Sequence, residues 1–310
     1  MRRIQLPEHL YRRSFTTRAS AAAGVPPQRT RANDVIRVSR GILVPAGMPL
    51  QGTAALAAYT EANPRSVLSH VSAARLWKIP LPPVQENDWR IHLATPPLAG
   101  APRRMNVVGH RLALAQWEIC RLDGVRLTHP ARTWLDLAGC LSLRDLVAAG
   151  DFLVCSHGPD FPAPREAICS LADLKNTLAL HHGLRGVRNA RAALELVRVG
   201  ADSPPETFMR LALVDAGLPE PELNVLLRQS GGRPLLWPDG AYRRYRTSLQ
   251  YDGAHHNSPD QYLRDIRRLE ATKLLGWTEV RIAHEDLRGD SPAVVRKVAE
   301  ALRASGWHAR

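Results

Sequence analysis

Residues 237–256 read WPDGAYRRYRTSLQYDGAHH, and this stretch contains the most informative pattern in the chain. Gln250 and Asp252 are two apart in a predicted strand, so their side chains point to the same face. Asp239 falls at the end of the neighbouring strand or in its turn, within reach of that face. Three oxygen-bearing side chains can therefore converge on one hard cation. Such a grouping suits phosphodiester hydrolysis, because Mg²⁺ polarises a phosphate oxygen and lowers the pKa of an attacking water.

The sequence around this stretch predicts an α/β domain over residues 201–310. The segment Ser203-Pro204-Pro205-Glu206 has capping-box spacing with prolines in the first turn, and it predicts a helix that ends at Gly217. Further elements are predicted as strands over 223–227, 233–237 and 246–251, a helix from Ser258 to 275, a strand over 277–282 and a helix over 291–304. This order is typical of an α/β layout.

Each acidic residue of the group also has a purely structural interpretation. Glu206 projects from the first helix and can complete the group, but it is also the third helical residue of a capping box. Asp239-Gly240 and Asp252-Gly253 are favourable turns. The combination favours a site, because residues 252–256 lead into a long basic helix that contains Arg264 and Arg268.

Three segments carry a resemblance to a known family. Residues 251–256 (YDGAHH), 261–268 (QYLRDIRR) and the pair Gly276-Trp277 resemble the endonuclease-like domains related to very-short-patch-repair nucleases. The resemblance covers about residues 202–290. It implies a PD-(D/E)XK nuclease-like α/β domain.

The resemblance also implies a catalytic set and a cofactor. The set consists of Glu206, Asp239, Gln250, Asp252 and His255. Within it, Glu206, Asp239 and Asp252 would bind Mg²⁺ or Mn²⁺, and Asp252 and His255 would lie near the scissile phosphate. Gln250 stands where that family has Glu, which removes one negative charge from the metal site.

Residues 1–48 predict a winged helix-turn-helix. Thr16 or Thr17 caps a short helix that ends at Gly24. A second short helix is predicted over 28–33, and two short strands around a turn over 35–44.

This N-terminal module is strongly basic. Residues 1–45 contain nine Arg against two acids, which accounts for +7 of the net charge of +13. Such a balance favours polyanionic partners, although a solvated face of a small packing domain is the alternative interpretation. The second helix and the wing contact groove and backbone in such motifs. The predicted DNA-binding residues are Arg29, Arg31, Arg37 and Arg40 here, with Arg264 and Arg268 in the C-terminal domain.

Residues 49–200 predict a mixed α+β middle region, so that the whole chain is a multidomain α/β protein. Its histidines include His70, His129, His181 and His182, which lack metal-ligand spacing and are interpreted as surface or hydrogen-bonded side chains. The four cysteines contain no Cys-x-x-Cys pair, which argues against a zinc ribbon or a disulfide framework and predicts buried thiols.

The front half resembles the helix-turn-helix proteins of AbiEi antitoxin type. The likeness is carried by residues 15–17 (FTT), 40–44 (RGILV), 69–77 (SHVSAARLW) and 128–138 (THPARTWLDLA). It implies DNA-binding regulation rather than catalysis.

Two functions therefore compete. The first is a metal-dependent endonuclease acting on double-stranded DNA, which retention of the acidic residues favours. The second is a non-catalytic transcriptional regulator or antitoxin of a type IV toxin-antitoxin system, with a cognate toxin as partner, which Gln250 favours. Action on RNA is less favoured, because aromatic residues are only 5% of the chain. No run of about 18 apolar residues occurs, which predicts a cytoplasmic protein without a membrane span.

Overall fold

A computed structural model describes residues 5–47, 51–229, 231–253, 259–289 and 292–308, with the side chains of 259–265 and 292 left out of the description. The architecture is mixed α/β with several sheets. The chain divides into two compact units, Met1–Gly139 and Cys140–Arg310. Within the described ranges, no helix combines the length and the apolar character that crossing a membrane requires.

The first unit contains two sheets and short helices. Its helices are α1 (Glu8–Tyr11), α2 (Thr17–Ala22), α3 (Gly52–Glu61), α4 (His70–Leu76), α5 (Pro83–Glu86) and α6 (Pro130–Leu137). Its strands are β1 (Phe15–Thr16), β2 (Val35–Ser39), β3 (Ile42–Pro45), β4 (Val67–Leu68), β5 (Ile91–Thr95), β6 (Val107–Arg111), β7 (Ile119–Leu122) and β8 (Val125–Thr128).

The N-terminal part of this unit is built around a small antiparallel sheet in the order β1-β3-β2. Thr16 caps α2 by accepting a hydrogen bond from the Ala19 backbone N–H at 2.9 Å. The second helix predicted over 28–33 is instead a single 3₁₀ turn, Arg29–Arg31. Six residues are too few to form a stable α-helix without tertiary support, since helix nucleation is costly.

The larger sheet of the first unit has the strand order β6-β5-β4-β8-β7. Strands β5 and β6 are parallel, and β4 pairs antiparallel with β5. A buried cluster under the sheet includes Leu68, Leu93 and Leu127. Arg132 of α6 lies fully buried between Glu118 and Asp136, with ion-pair distances of 3.0 and 2.9 Å.

The second unit surrounds a three-stranded sheet with helices. Its helices are α7 (Leu143–Val154), α8 (Leu171–Leu180), α9 (Val187–Leu196), α10 (Pro204–Asp215), α11 (Pro259–Leu274) and α12 (Pro292–Ala304). Its strands are β9 (Leu227–Arg228), β10 (Pro234–Leu236), β11 (Gly240–Tyr242), β12 (Thr247–Asp252) and β13 (Thr278–Ala283).

The order of the main sheet is β11-β12-β13. Strands β11 and β12 form an antiparallel pair, whereas β12 and β13 are parallel and are connected through α11. A buried cluster joins Met209 of α10, Leu249 of β12 and Val298 of α12. A second cluster joins Leu236 of β10 and Ala241 of β11 to partly buried residues of α11. These two clusters pack against the three-stranded sheet, and the second one includes a residue of its edge strand β11.

The predicted boundaries at 48/49 and 200/201 do not coincide with the division at 139/140. The second of them lies inside the second unit, where Arg210 of α10 binds Asp151 of α7 at 2.9 Å and both side chains are buried. Thr207 also donates a hydrogen bond to Asp151 at 2.8 Å. Residues 140–200 therefore pack against the segment that follows them.

Candidate functional site

Asp239 lies immediately before β11 and beside Gln250 of the paired strand β12. The register pairs Gly240 with Leu249, which brings the preceding and following residues together. The Gln250 side-chain amide donates to Asp239 Oδ2 at 2.8 Å, and the Tyr251 backbone N–H donates to the same oxygen at 2.7 Å. Both hydrogen bonds hold one carboxylate oxygen, which orients the other oxygen of Asp239.

The side chain of Gln250 has one unpaired atom. Its Oε1 is buried without a hydrogen-bond partner among the described residues. The carboxylate of Asp239 requires the amide N–H group on its own side, so Oε1 must point away from it. A buried carbonyl oxygen without a donor costs free energy, and a cation is one group that can satisfy it.

Glu206 projects from the first turn of α10. Its Oε2 accepts a hydrogen bond from the Asp202 backbone N–H at 2.8 Å, and its Oε1 accepts one from Ser203 Oγ at 2.6 Å. The predicted capping box does not form, because the Ser203 side chain makes no cap to the helix backbone and Glu206 accepts from the backbone N–H of Asp202 rather than from that of Ser203. Burial raises the pKa of the Glu206 carboxyl, and the negative charge of Asp239 raises it further.

The pKa of Asp239 is also raised, chiefly by burial. The Tyr251 backbone N–H, the positive charge of Arg268 and the Gln250 amide oppose this shift. Arg268 lies on α11, so the basic helix does bring one of its predicted DNA-binding residues into the electrostatic field of Asp239. The negative charge of Asp202 adds to the upward shift of the Asp239 pKa.

A cavity of about 160 Å³ contains both carboxylates. Among the residues that line it are Asp202, Glu206, Asp239, His157 and Trp237. This volume holds several water molecules. The cavity therefore combines three carboxyl-bearing side chains with apolar ones on its wall and is large enough for a hydrated cation.

A network of hydrogen bonds fixes His157 on the cavity wall. Its Nδ1 lies 2.7 Å from Asn224 Oδ1, and the Asn224 amide donates to the Ser156 carbonyl, which sets the orientation of that amide. Its Nε2 lies 2.7 Å from Asp202 Oδ2. Arg165 donates to the other oxygen of Asp202 at 3.0 Å. Although burial opposes it, the bond from His157 helps to hold the pKa of Asp202 below its ordinary value.

Cys155 completes this network. Its Sγ lies 3.3 Å from Asp202 Oδ1, and together Cys155, His157 and Asp202 place their ligand atoms within 4.8 Å of one another. Burial and Asp202 raise the pKa of the Cys155 thiol to about 12. The thiol is therefore protonated near neutral pH and serves as a donor rather than as a nucleophile.

Asp252 stands apart from the other predicted ligands. It ends β12, is partly exposed, and lies 3.8 Å from Arg281 on the neighbouring strand. Among the described residues, Glu206, Asp239 and Asp252 are not one of the groups whose ligand atoms all lie within 4.8 Å of one another. His255 lies outside the described residues, as does the side chain of Arg264.

The N-terminal arginines differ in exposure. Arg29 is buried and forms a bidentate pair with Asp34 at 2.7 and 2.8 Å, so its guanidinium stabilises the 3₁₀ turn. Arg29 is therefore withdrawn from the predicted DNA-binding set. Arg31, Arg37 and Arg40 are exposed and make no ion pair in the described part of the chain. We call these three residues the exposed basic set.

The sequence interpretation missed Cys155, His157 and Asp202. No local motif contains them, because Asp202 follows His157 by 45 positions. The Pro-rich segment after His157 and the capping segment before α10 meet only in the folded unit. The one signal in the sequence is the acid that precedes Ser203, which a capping motif does not require.

Comparison with known proteins provides relatives without an assigned activity. The chain is 29% identical over 222 residues to the uncharacterized proteins MT2308 and Rv2248 of Mycobacterium tuberculosis, strains CDC 1551 and H37Rv, and the alignment covers 70% of this chain and 75% of each relative. No family model matches the chain, and no solved structure matches it.

Proposed function

We propose that this protein is a divalent-metal-dependent hydrolase of phosphodiester bonds in double-stranded DNA, with Mg²⁺ or Mn²⁺ bound by Glu206 and Asp239. One observation carries the proposal. The buried carboxyl groups of Glu206 and Asp239 line one cavity; burial raises the pKa of both, and the charge of Asp239 raises that of Glu206 further.

The donor set fits a hard cation. Glu206 and Asp239 supply carboxylate oxygens, and the buried Oε1 of Gln250 is an oxygen in need of a partner. Mg²⁺ is commonly held by one or two carboxylates, with water completing its shell. Neither Asp252 nor a third carboxylate at position 250 is required for that coordination.

The chain's own residues supply orientation and charge. Tyr251 and Gln250 hold Asp239, and Ser203 holds Glu206, so both carboxylates are positioned before a ligand arrives. Arg268 provides a guanidinium suited to a phosphate oxygen. When bound, the metal ion would polarise the phosphate and lower the pKa of an attacking water.

His157 orients one wall of this cavity. Its two ring nitrogens face acceptor oxygens, Asn224 Oδ1 and Asp202 Oδ2, each at 2.7 Å. Because both nitrogens donate to these oxygens, neither presents a lone pair to a water in the cavity. We assign His157 a positioning role, in which it holds Asp202 beside the two carboxylates.

The strand arrangement supports assigning the second unit to the PD-(D/E)XK group. Glu206 lies on a helix before the sheet, Asp239 begins one strand, and Gln250 lies on its antiparallel neighbour. The helix α11 then connects to the parallel strand β13. An acid on a preceding helix and two positions on adjacent strands is the arrangement that the resemblance to very-short-patch-repair nucleases implies.

The N-terminal elements support a DNA-binding role. Two short helices, a 3₁₀ turn and the hairpin β2–β3 follow the order of a winged helix-turn-helix. The exposed basic set lies on the turn and the hairpin, where such motifs meet the DNA backbone. We propose that these residues attract duplex DNA through its phosphates.

The competing proposal is a non-catalytic DNA-binding regulator. The hydrogen bond from Gln250 to Asp239 favours it, because an amide satisfies one carboxylate oxygen without any metal. In that case the second unit would be a binding platform, and its partner would be a cognate toxin. The two proposals differ in one measurable property, which is affinity for Mg²⁺ or Mn²⁺.

Plasmid nicking and calorimetric Mn²⁺ titration test the proposal on the full chain. We expect Mn²⁺ binding and metal-dependent nicking by the wild type, and loss of both in Asp239→Ala. The matched control is Asp215→Ala, because Asp215 is exposed at the end of α10. It should bind and nick like the wild type.

The outcomes are distinguishable. Absence of both Mn²⁺ binding and nicking in the wild type would reject the nuclease and leave the regulator. Nicking that persists in Asp239→Ala would show that the proposed carboxylate site is not the reactive one.

A further inference from the structure

We propose that His70, His92 and His110 of the first unit form a binding site for Zn²⁺ or a similar late first-row divalent cation. This cluster is separate from the carboxylate cavity of the second unit. Their ligand nitrogens all lie within 4.8 Å of one another. Three imidazoles with one position left open is a common Zn²⁺ ligand set.

The larger sheet of the first unit brings the three rings together. His92 lies on β5 and His110 on the parallel strand β6, where it pairs with Ala94, two residues beyond His92. His70 begins α4 directly after β4, which pairs with β5. The Ser69 backbone N–H donates to the His92 carbonyl at 3.1 Å, which ties the start of α4 to β5.

The distances are close to those of a metal centre. His92 Nδ1 lies 3.0 Å from His110 Nε2. A tetrahedral ion with Zn–N bonds of about 2.0–2.1 Å sets neighbouring ligand nitrogens about 3.3–3.4 Å apart. The rings of His70 and His110 stack with 3.7 Å between their centroids, so binding one ion through both would tilt the two rings apart.

A carboxylate sets the tautomer of His92. Asp88 Oδ2 lies 3.3 Å from His92 Nε2, which places the proton on Nε2 and the lone pair on Nδ1. That lone pair faces the other histidines. A carboxylate behind a ligating imidazole is the usual outer partner of protein zinc sites, where it fixes the ring and increases its basicity.

His70 is held in an unusual backbone conformation. Its φ is +47°, in the left-handed region that residues with a side chain seldom adopt. Its Nδ1 lies 3.0 Å from Ser69 Oγ, whereas its Nε2 has no hydrogen-bond partner in the described ranges. Strained residues of this kind concentrate at ligand sites. In this conformation one imidazole nitrogen of His70 lies within 4.8 Å of those of His92 and His110.

The lowered pKa values of the three histidines favour the neutral form of each imidazole. Burial lowers the pKa of His70 to about 2 and that of His110 to about 4, and it also lowers the pKa of His92. Neutral imidazole is the form that binds metal. These pKa shifts support the site, which stands on its geometry.

The charged side chains near the histidine cluster already have hydrogen-bond or ion-pair partners. Arg90 forms two hydrogen bonds of 2.8 Å with Asp88, and Arg132 is paired with Glu118 and Asp136. Arg75 donates to backbone carbonyls of the segment at 85–86. The positive charges of Arg90 and Arg132 near the cluster are therefore partly offset by their carboxylate partners. Among divalent cations, imidazole nitrogens favour Zn²⁺ over Mg²⁺.

The test is Zn²⁺ calorimetry and Co²⁺ absorption on the full chain, prepared without a histidine tag and freed of metal by a chelator. We expect the wild type to bind Zn²⁺ with micromolar affinity or better. Co²⁺ should give visible d–d bands. Binding instead at the group Cys155, His157 and Asp202, whose ligand atoms also lie within 4.8 Å of one another, would add a near-ultraviolet thiolate charge-transfer band, so the spectrum distinguishes that group from the histidine cluster.

Three variants complete the design. His70→Asn should weaken this binding by more than about 100-fold, and Asn tolerates the left-handed backbone, so the fold should survive. Asp88→Asn should weaken it by about 10–100-fold through the orientation of His92. The matched control His182→Asn, exposed in the second unit, should leave affinity unchanged.

Two results would overturn the proposal. One is a wild type that shows no imidazole-type Co²⁺ spectrum and no Zn²⁺ uptake. The other is a folded His70→Asn or Asp88→Asn protein that binds Zn²⁺ as the wild type does. Neither result bears on the carboxylate site, because the cluster shares no residue with it.

Discussion

Replacing Gln250 with Glu tests both the geometry of the carboxylate site and its need for a cation. Gln250 donates to Asp239 at 2.8 Å, so the substitution sets a carboxylate oxygen against another carboxylate oxygen. It also removes a donor from Asp239. In the absence of metal, the new side chain must move away or take up a proton.

The magnitude follows from the distance. At 2.8 Å and an effective dielectric constant of about 20, two unit charges repel by about 6 kcal/mol. Protonation limits the cost, because holding a proton at pH 7 on a group of ordinary pKa about 4.3 costs about 4 kcal/mol. At pH 5 the same limit is about 1 kcal/mol. A carboxyl whose folded pKa is raised destabilises the protein more as pH rises, so the penalty should grow between pH 5 and the raised pKa.

Thermal unfolding in a chelating buffer measures this penalty. We expect the melting temperature of Gln250→Glu to fall by about 8–16 °C at pH 7, because 1 kcal/mol shifts it by about 2–4 °C in a domain of this size. The fall should be far smaller at pH 5. Mn²⁺ at about 100 times its dissociation constant should return about 2.7 kcal/mol. The control Gln116→Glu adds the same charge at an exposed position.

Two outcomes would contradict this picture. If Gln250→Glu melts like the wild type in chelator at pH 8, position 250 does not face an ionised Asp239. If it is destabilised but neither Mn²⁺ nor Mg²⁺ restores it, the carboxylates do not hold a metal and the regulator proposal gains support.

Three further predictions concern binding, folding and pH. Replacing the exposed basic set with Ala should reduce the log–log salt slope of duplex DNA binding by about 2.7 units, measured by fluorescence anisotropy, and an unchanged slope would exclude these contacts. A fragment of residues 140–310 should unfold cooperatively by circular dichroism. One of 201–310 should not, because it leaves buried Arg210 without Asp151; equal cooperativity would reject this dependence. Glu206→Gln should be more stable than the metal-free wild type at pH 8 and should lose less stability as pH rises from 5, since burial and Asp239 raise the pKa of Glu206. Parallel curves for the two proteins would count against that shift.

Local patterns predicted most elements of the second unit. The helix predicted after Ser203 ends within two residues of its predicted end. Capping, prolines in a first turn and apolar periodicity depend on near neighbours in sequence, so they can be interpreted without the fold. Strand β11 was missed, because three residues between two turns carry no period.

The alternation along β12 likewise predicted that Gln250 and Asp252 share a face, and composition predicted the basic N-terminal segment. The sequence alone could not predict that the Gln250 amide would bind Asp239, nor that Arg29 would be buried against Asp34. Strand register and burial settle such contacts.

The histidines show the difference most clearly. Spacing argued against a metal site at His70, since His70 lacks metal-ligand spacing to His129, His181, His182 and the cysteines. Pairing of β4 with β5 and of β5 with β6 instead brings the rings of His70, His92 and His110 within contact of one another. Sequence spacing reports ligands that share one turn or one helix, whereas a sheet joins side chains across any separation. The charge, the caps and the strand alternation thus follow from the chain itself, and the clustering of ligand atoms follows from strand pairing that only the folded unit specifies.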